Sequence, residues 1–503
     1  MLLLMSHIGN RIADVRETLG ITQAALAKKI KTTQSAVARI ESGRQNVSAD
    51  MLRRIGKALG KNLITLSPGT VSVRVDGGQT LTGAIETNSS KNGAVGLLCA
   101  SLLNRGTTRL HKMPRIEEVH RLIEVLQSIG VRVEWDKSSV SITPPRTFNL
   151  ARINTESAKR TRSIVMFIGP LIHHLKTFSL PQSGGCKLGS RTVRPHFYAL
   201  EEFGVDIKTT NDTYEVSVKK KQPQEIILYE SGDTVTENVL MAAARFPGTT
   251  VIKYASANYM VQELCVFLRE LGVQIDGVGT TTLTVTGVDE IKKDIEYTLA
   301  EDPTDSMFFL TAAIVTNSSI TITRCPIEFL ELELLTLKKM GFKYTMSKPY
   351  LGANGQVKLV DITTKPSKLT AAADKIHSRP YPGINADNLP FFAVIATQAA
   401  GQTLIHDWMY DKRAIYFTEL DKLGAETVLA DPHRIYITGP SKLRATELIC
   451  PPALRPATIL LIAMLGASGT SVLRNIYSIN RGYEKLVERL ASLGAKIAYL
   501  DEF

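Results

Sequence analysis

Aromatic side chains are scarce in this chain, at 6% of 503 residues with only two tryptophans. Cysteine is scarcer. Cys99, Cys186, Cys265, Cys325 and Cys450 are odd in number and scattered, with no Cys-x-x-Cys pair. That pattern excludes a disulfide framework and a zinc site, and reduced, mostly buried thiols are expected. Long apolar runs are missing as well. None approaches the roughly 18 residues that a membrane-crossing helix needs, so no membrane partner is expected. The apolar start, Met1 to Met5, is too short for a signal peptide and no small-residue cleavage site follows it; the cytoplasm is the expected location. No cluster of ligating residues calls for a metal, and no motif calls for a cofactor.

What is present is globular in composition, 44% hydrophobic and 21% charged, and too long for one ordinary domain. The net charge of +12 is front-loaded: residues 1–68 hold 11 Lys/Arg against 4 Asp/Glu. A basic front suits a polyanion-binding module. Apolar spacing predicts four short helices there: Ile8–Leu19, Gln23–Ile30 behind the N-cap Thr22, Gln34–Glu41, and about Ala49–Leu59. The stretch Leu19-Gly-Ile-Thr-Gln to Ile40-Glu-Ser-Gly-Arg44 resembles the phage-repressor family of helix-turn-helix domains. The resemblance implies that Gln34, Ser35 and Arg39 face base edges while Gln23, Lys28 and Arg44 meet phosphates of DNA. A helical module that docks on protein is the competing reading.

After Pro68 a repeat emerges. A helix ending in an apolar residue and Gly, then an alternating strand, recurs six times, at Gly130, Gly204, Gly272, Gly341, Gly424 and Gly494. Each Gly stands where the residue after a helix needs positive φ. A turn and strand precede most of them by about two dozen residues, as in Gly106-Thr-Thr-Arg-Leu110 and Gly248-Thr-Thr-Val-Ile252, with Lys176-Thr-Phe-Ser-Leu180 a weaker copy. Six helix–strand units predict two lobes of three, with the active cleft between them.

Three features carry chemistry. Cys186 sits in Ser183-Gly-Gly-Cys-Lys-Leu-Gly-Ser-Arg191, a glycine-rich basic loop that suits an exposed, activated thiol. Basic residues precede apolar helices: Lys91 in Ser89-Ser-Lys-Asn-Gly93, Arg162 in Lys159-Arg-Thr-Arg162, and Arg413, Arg455 and Arg481 in later units. Cations at helix starts bind carboxylate and phosphate. Asp387, in the turn-rich Tyr381-Pro-Gly-Ile-Asn-Ala-Asp387, suits a general base or an N-cap for the helix Leu389–Gln398.

From about residue 70 onward these segments, with Thr236-Glu-Asn238 and Asn480-Arg-Gly-Tyr-Glu484, resemble the UDP-N-acetylglucosamine 1-carboxyvinyltransferase family of enolpyruvyl transferases. The resemblance implies a two-lobed inside-out α/β barrel of six repeats behind a small all-α domain at 1–68. Lobe I would take 70–90 and 299–503, and lobe II 91–298 with the Cys186 loop. It implies phosphoenolpyruvate and UDP-N-acetylglucosamine as substrates. Lys91 would contact phosphoenolpyruvate and Asn92 the sugar. Arg162 and Arg191 would lie near the phosphates. Cys186 would add to phosphoenolpyruvate and assist protonation, and Asp387 would deprotonate the sugar hydroxyl. Arg413, Arg455 and Arg481 would hold the phosphoenolpyruvate carboxylate and steer closure. Three positions depart from the family pattern: Ala453 where an acid is usual, Arg194 near a usual Asp, and Asn258-Tyr-Met260. Two other readings stay open, a DNA-binding regulator that uses the fold as a ligand sensor, and the shikimate-pathway transferase.

Overall fold

The computed structural model describes residues 12, 13, 16, 21–42, 51, 54, 55, 58, 59, 71–182, 192–219 and 221–500. The chain divides into two units, Met1–Thr70 and Val71–Phe503.

In the first unit, helices run over Gln23–Lys29 and Gln34–Glu41, capped by Thr22 and Thr33, whose hydroxyls accept from Ala25 N and Ala36 N at 3.2 Å each. Ile12, Leu26, Ala27, Ile30, Val37, Ile40, Ile55 and Leu59 form its core. Beside that core Arg16 makes a two-pronged bond to Glu41, at 2.6 and 2.9 Å.

The second unit is built from six small sheets on buried helices. All six repeat glycines take positive φ, between 74° and 99°, as the repeat requires. The helices explain why the sheets lie outside. Pro303–Val315 and Leu389–Ala396 are buried along every residue, and Leu454–Gly466 along all but the last. Leu389–Ala396 is apolar at every position, the pattern of an interior helix. The three helices pack on one another inside one core, which also takes Val73, Val75 and Leu81 from the start of the unit. Strand Ser72–Gly77 lies antiparallel between Gly469–Arg474 and Lys496–Leu500, so the unit's first strand is held by its last two. A second core spans Ala94 to Leu299, around Lys91–Ala100, the Ser163–Leu171 segment and Asp233–Ala243. The backbone passes between the cores twice, and the two crossings are stitched: Ser90 N donates to Ala300 O and Asp302 N to Asn88 O, both at 2.8 Å. Among the described residues no helix is long and apolar enough to cross a membrane.

Candidate active site

The inner helices bring their first turns to one place. Lys91 opens Lys91–Ala100, because the Ser90 hydroxyl accepts from Gly93 N at 2.9 Å and caps the helix there. Asn92 follows and donates to the Tyr259 hydroxyl at 3.1 Å. Arg455 is the second residue of Leu454–Gly466, and Asp387 stands two residues before Leu389–Ala396. Asp302 is the N-cap of Pro303–Val315; its carboxylate accepts from Thr304 N at 2.8 Å and faces Lys91 N at 3.4 Å. Helix N-termini and cations thus add their positive fields at one point, which suits anionic ligands.

Asp387 does not cap its helix. Its Oδ2 accepts from Arg455 Nη2 at 3.0 Å, while Asn388 occupies the cap position. Burial raises the Asp387 carboxyl, but the charges of Arg455, Arg413 and Lys91 outweigh it and hold the group well below the usual carboxylate range. The other Arg455 branch donates to Tyr483 Oη at 2.8 Å. Ala453, where the family pattern has an acid, is buried, and Asp387, Tyr483 and Asp302 surround the Arg455 guanidinium. Burial lowers the Lys91 ammonium, opposed by the carboxylates of Glu118 and Asp387. A narrow cavity of about 10 Å³ lies among these groups, lined by Lys91, Asp302, Asp305, Arg455 and Tyr483.

Arg413 is placed differently from an arginine open to substrate. It is 1% exposed, pairs with Asp407 at 2.5 and 2.9 Å, and stacks 4.0 Å from the Tyr410 ring centre. Nη2 also donates to Ala386 O at 2.7 Å, one residue before Asp387. Arg481 meets a residue that stands among the elements of the other core, with Nε 3.5 Å from Glu118 Oε2. Glu118 in turn accepts from the Thr161 hydroxyl at 2.6 Å. Arg162 is half-buried at the start of its helical segment and donates to Thr192 O at 3.1 Å. So Lys91, Asn92, Asp387, Arg455 and Arg481 share one neighbourhood, and Arg413 supports it from behind. Cys186 and Arg191 lie outside the described residues, as does Arg44. In the first unit Gln34, Ser35 and Arg39 are exposed. The side chain of Gln23 donates instead to Glu41 Oε2 at 2.8 Å.

Sequence reading missed Asp302, Tyr483, Glu118, Asp407 and Tyr259 as parts of this site. Asp302 carried a signal, an Asp before Pro and an apolar helix, and Tyr483 stands inside a motif already singled out. Glu118 and Asp407 carried none.

Comparison with known proteins closes the question of kinship. A family model described as EPSP synthase (3-phosphoshikimate 1-carboxyvinyltransferase) matches residues 75–490. A UDP-N-acetylglucosamine 1-carboxyvinyltransferase of Treponema denticola is 33% identical over 423 residues, 84% of this chain and 98% of the relative. The chain belongs to the UDP-N-acetylglucosamine 1-carboxyvinyltransferase family of enolpyruvyl transferases. A family relative of the same name from Bradyrhizobium diazoefficiens is 32% identical over 85% of this chain and 98% of its own. The fold agrees. The enolpyruvyl transferase NikO of Streptomyces tendae aligns with a TM-score of 0.74 at 23% identity, over 87% of this chain and all of that one. An EPSP synthase of Acinetobacter baumannii aligns at 0.66 and 17% identity, over 86% of this chain and all of that one. A helix-turn-helix model matches residues 12–66, ahead of the family's own span.

Proposed function

We propose that the chain transfers the enolpyruvyl group of phosphoenolpyruvate to the 3′-hydroxyl of UDP-N-acetylglucosamine and releases phosphate, the first committed step of peptidoglycan synthesis, in the cytoplasm. The observation that carries this reading is a carboxylate, Asp387, held among Arg455, Arg413 and Lys91. In the first step the sugar oxygen bonds to C2 of phosphoenolpyruvate, its proton passes to Asp387, and C3 gains a proton that the resemblance assigns to Cys186. In the second the C2–phosphate bond breaks, phosphate leaves, and C3 returns a proton to restore the double bond. Lys91, Arg455 and Arg481 offset the negative charge of two anionic substrates. Arg455, Arg413 and Lys91 make Asp387 a weak base when the site is empty. Phosphoenolpyruvate bound to Lys91 and Arg455 offsets their field and raises the proton affinity of Asp387 when the hydroxyl must be deprotonated. Asn92 and Arg162 are proposed to bind the sugar and nucleotide phosphates, with Arg191.

For the front unit we propose nucleic-acid contact through Gln34, Ser35 and Arg39, whose exposure on the one helix Gln34–Glu41, with Lys28, Lys29 and Lys31 exposed shortly before it in the chain, supports it. The test is phosphate release with both substrates and with each omitted, beside Cys186→Ala and a chain lacking residues 1–68. Turnover should require both substrates, fall by at least ~10²-fold in Cys186→Ala, and persist without residues 1–68. No turnover, with DNA binding that responds to UDP-N-acetylglucosamine, would make the chain a ligand-sensing regulator instead.

A further inference from the structure

The helix that starts with Lys91 and Asn92 is gripped from beneath by two buried acids that the reaction does not use. Helix Tyr259–Glu270 crosses it. Tyr259 and Glu263, one turn apart on the same face, both reach its first turn. The Tyr259 hydroxyl takes Asn92, as described. Glu263 is 5% exposed; its Oε1 accepts from Ala300 N at 2.6 Å, and its Oε2 has no hydrogen-bond partner among the described residues. That free oxygen is aimed at Gly93: a methyl group there would stand 1.9 Å from it, so the glycine is the notch that admits the acid. One turn on, Glu237 repeats the arrangement. Its Oε1 is buried, without a partner among the described residues, and a methyl on Gly96 would stand 2.6 Å from it.

Glu263 touches the second crossing as well as the helix. Ala300, whose amide it receives, returns its carbonyl to Ser90 N at 2.8 Å, and Ser90 is the cap of the Lys91 helix. Two residues later Asp302 faces Lys91 N. The acid therefore ties the second crossing between the cores to the first turn carrying Lys91 and Asn92.

We propose that Glu263 is a positioning residue, the pin that fixes the first turn of the Lys91 helix against the crossing at residues 299–302 and so sets where Lys91 and Asn92 meet their substrates. The proposal rests on the transferase reading for its kinetic consequence but not for its structural one. A pin of this kind must be uncharged. A buried carboxylate with an oxygen that nothing solvates is far costlier than the neutral acid. Glu237 on the neighbouring helix, Glu301 and Asp302 on the crossing, Tyr297 on the preceding strand and the thiol Cys99 are acids or weak acids and agree with a neutral pin; Lys91, at the start of the helix, opposes them at Glu237. Burial, with Glu301 and Asp302, raises Glu263 to about 8 against the opposing Ala300 bond; Glu237 is raised well above the ordinary value by burial, Asp233 and Glu263. Because the folded value of Glu263 exceeds its ordinary 4.5, its stabilising contribution is complete below about pH 4.5 and is lost as pH climbs through about 8.

The experiment compares wild type, Glu263→Gln and Gly93→Ala in the full chain between about pH 6.5 and about pH 9.5, with kinetics and amide exchange at residues 90–96. In wild type the KM for phosphoenolpyruvate should rise about tenfold above pH ~8 while those amides exchange faster; in Glu263→Gln, neutral at every pH, both should stay level. Gly93→Ala, which fills the notch, should show the raised KM and the faster exchange already at neutral pH. If the Glu263→Gln profiles overlay those of wild type, the alkaline change belongs to Lys91 or another group and the proposal fails. If wild type shows no turnover at any pH, the transferase reading fails instead, and amide exchange alone decides the pin.

Discussion

Asp387→Asn should lower kcat by about 10³-fold and leave the KM for phosphoenolpyruvate level or reduced, a loss in the range that proton transfer by a positioned side chain supplies. The amide keeps the size of the carboxylate but cannot take the sugar's proton. It also releases Arg455, whose Nη2 now spends a bond on Asp387 at 3.0 Å, so the guanidinium becomes freer to hold an anion. A split in which kcat collapses while KM does not is the signature of a group needed in the transition state rather than for binding. The pH dependence adds a second reading. Since Arg455, Arg413 and Lys91 hold Asp387 below the ordinary carboxylate range, the free enzyme keeps it ionised through neutral and mildly acid pH, and kcat/KM should show no acid limb near the usual carboxylate value. Near-normal turnover in Asp387→Asn would remove the base from the proposed chemistry.

The parts of this molecule that sequence makes legible are those set by local physics. Six glycines after helices needed positive φ, and all six have it. The apolar run after Asp387 forms the helix Leu389–Ala396, and it lies in the middle of one core. Cations before such helices had to gather at their first turns, which is where Lys91 and Arg455 stand. What was not legible depends on long-range approach. Asn92 meets Tyr259 across 167 positions and Arg489 meets Asp305 across 184. Glu263 reads as one more polar residue on an amphipathic helix, because its role is fixed by Gly93, which belongs to a different helix. Arg413 shows the limit most clearly. Its place before a helix made it look open to substrate, yet Asp407, only six positions earlier, closes on it once the intervening turn forms.

That pairing yields the largest expected loss of stability. Asp407 is 0% exposed and Arg413 1%, and the guanidinium is enclosed by both carboxylate oxygens, the Tyr410 ring and the Ala386 carbonyl. Asp407→Ala strands a buried cation, and removal of one partner from such a pair costs about 3–5 kcal/mol. Chemical unfolding of the full chain would report it as a lower midpoint for the unit Val71–Phe503. The kinetic consequence separates two roles for Arg413. If the arginine binds phosphoenolpyruvate directly, loss of Asp407 frees it and KM falls. If it acts from behind, by holding Ala386 and hence the loop that ends in Asp387, then kcat falls with stability while KM for phosphoenolpyruvate stays level. The geometry favours the second. Every nitrogen that Arg413 commits points to Asp407 or to the loop, so its charge reaches the substrate through Asp387, whose proton affinity it helps to hold down.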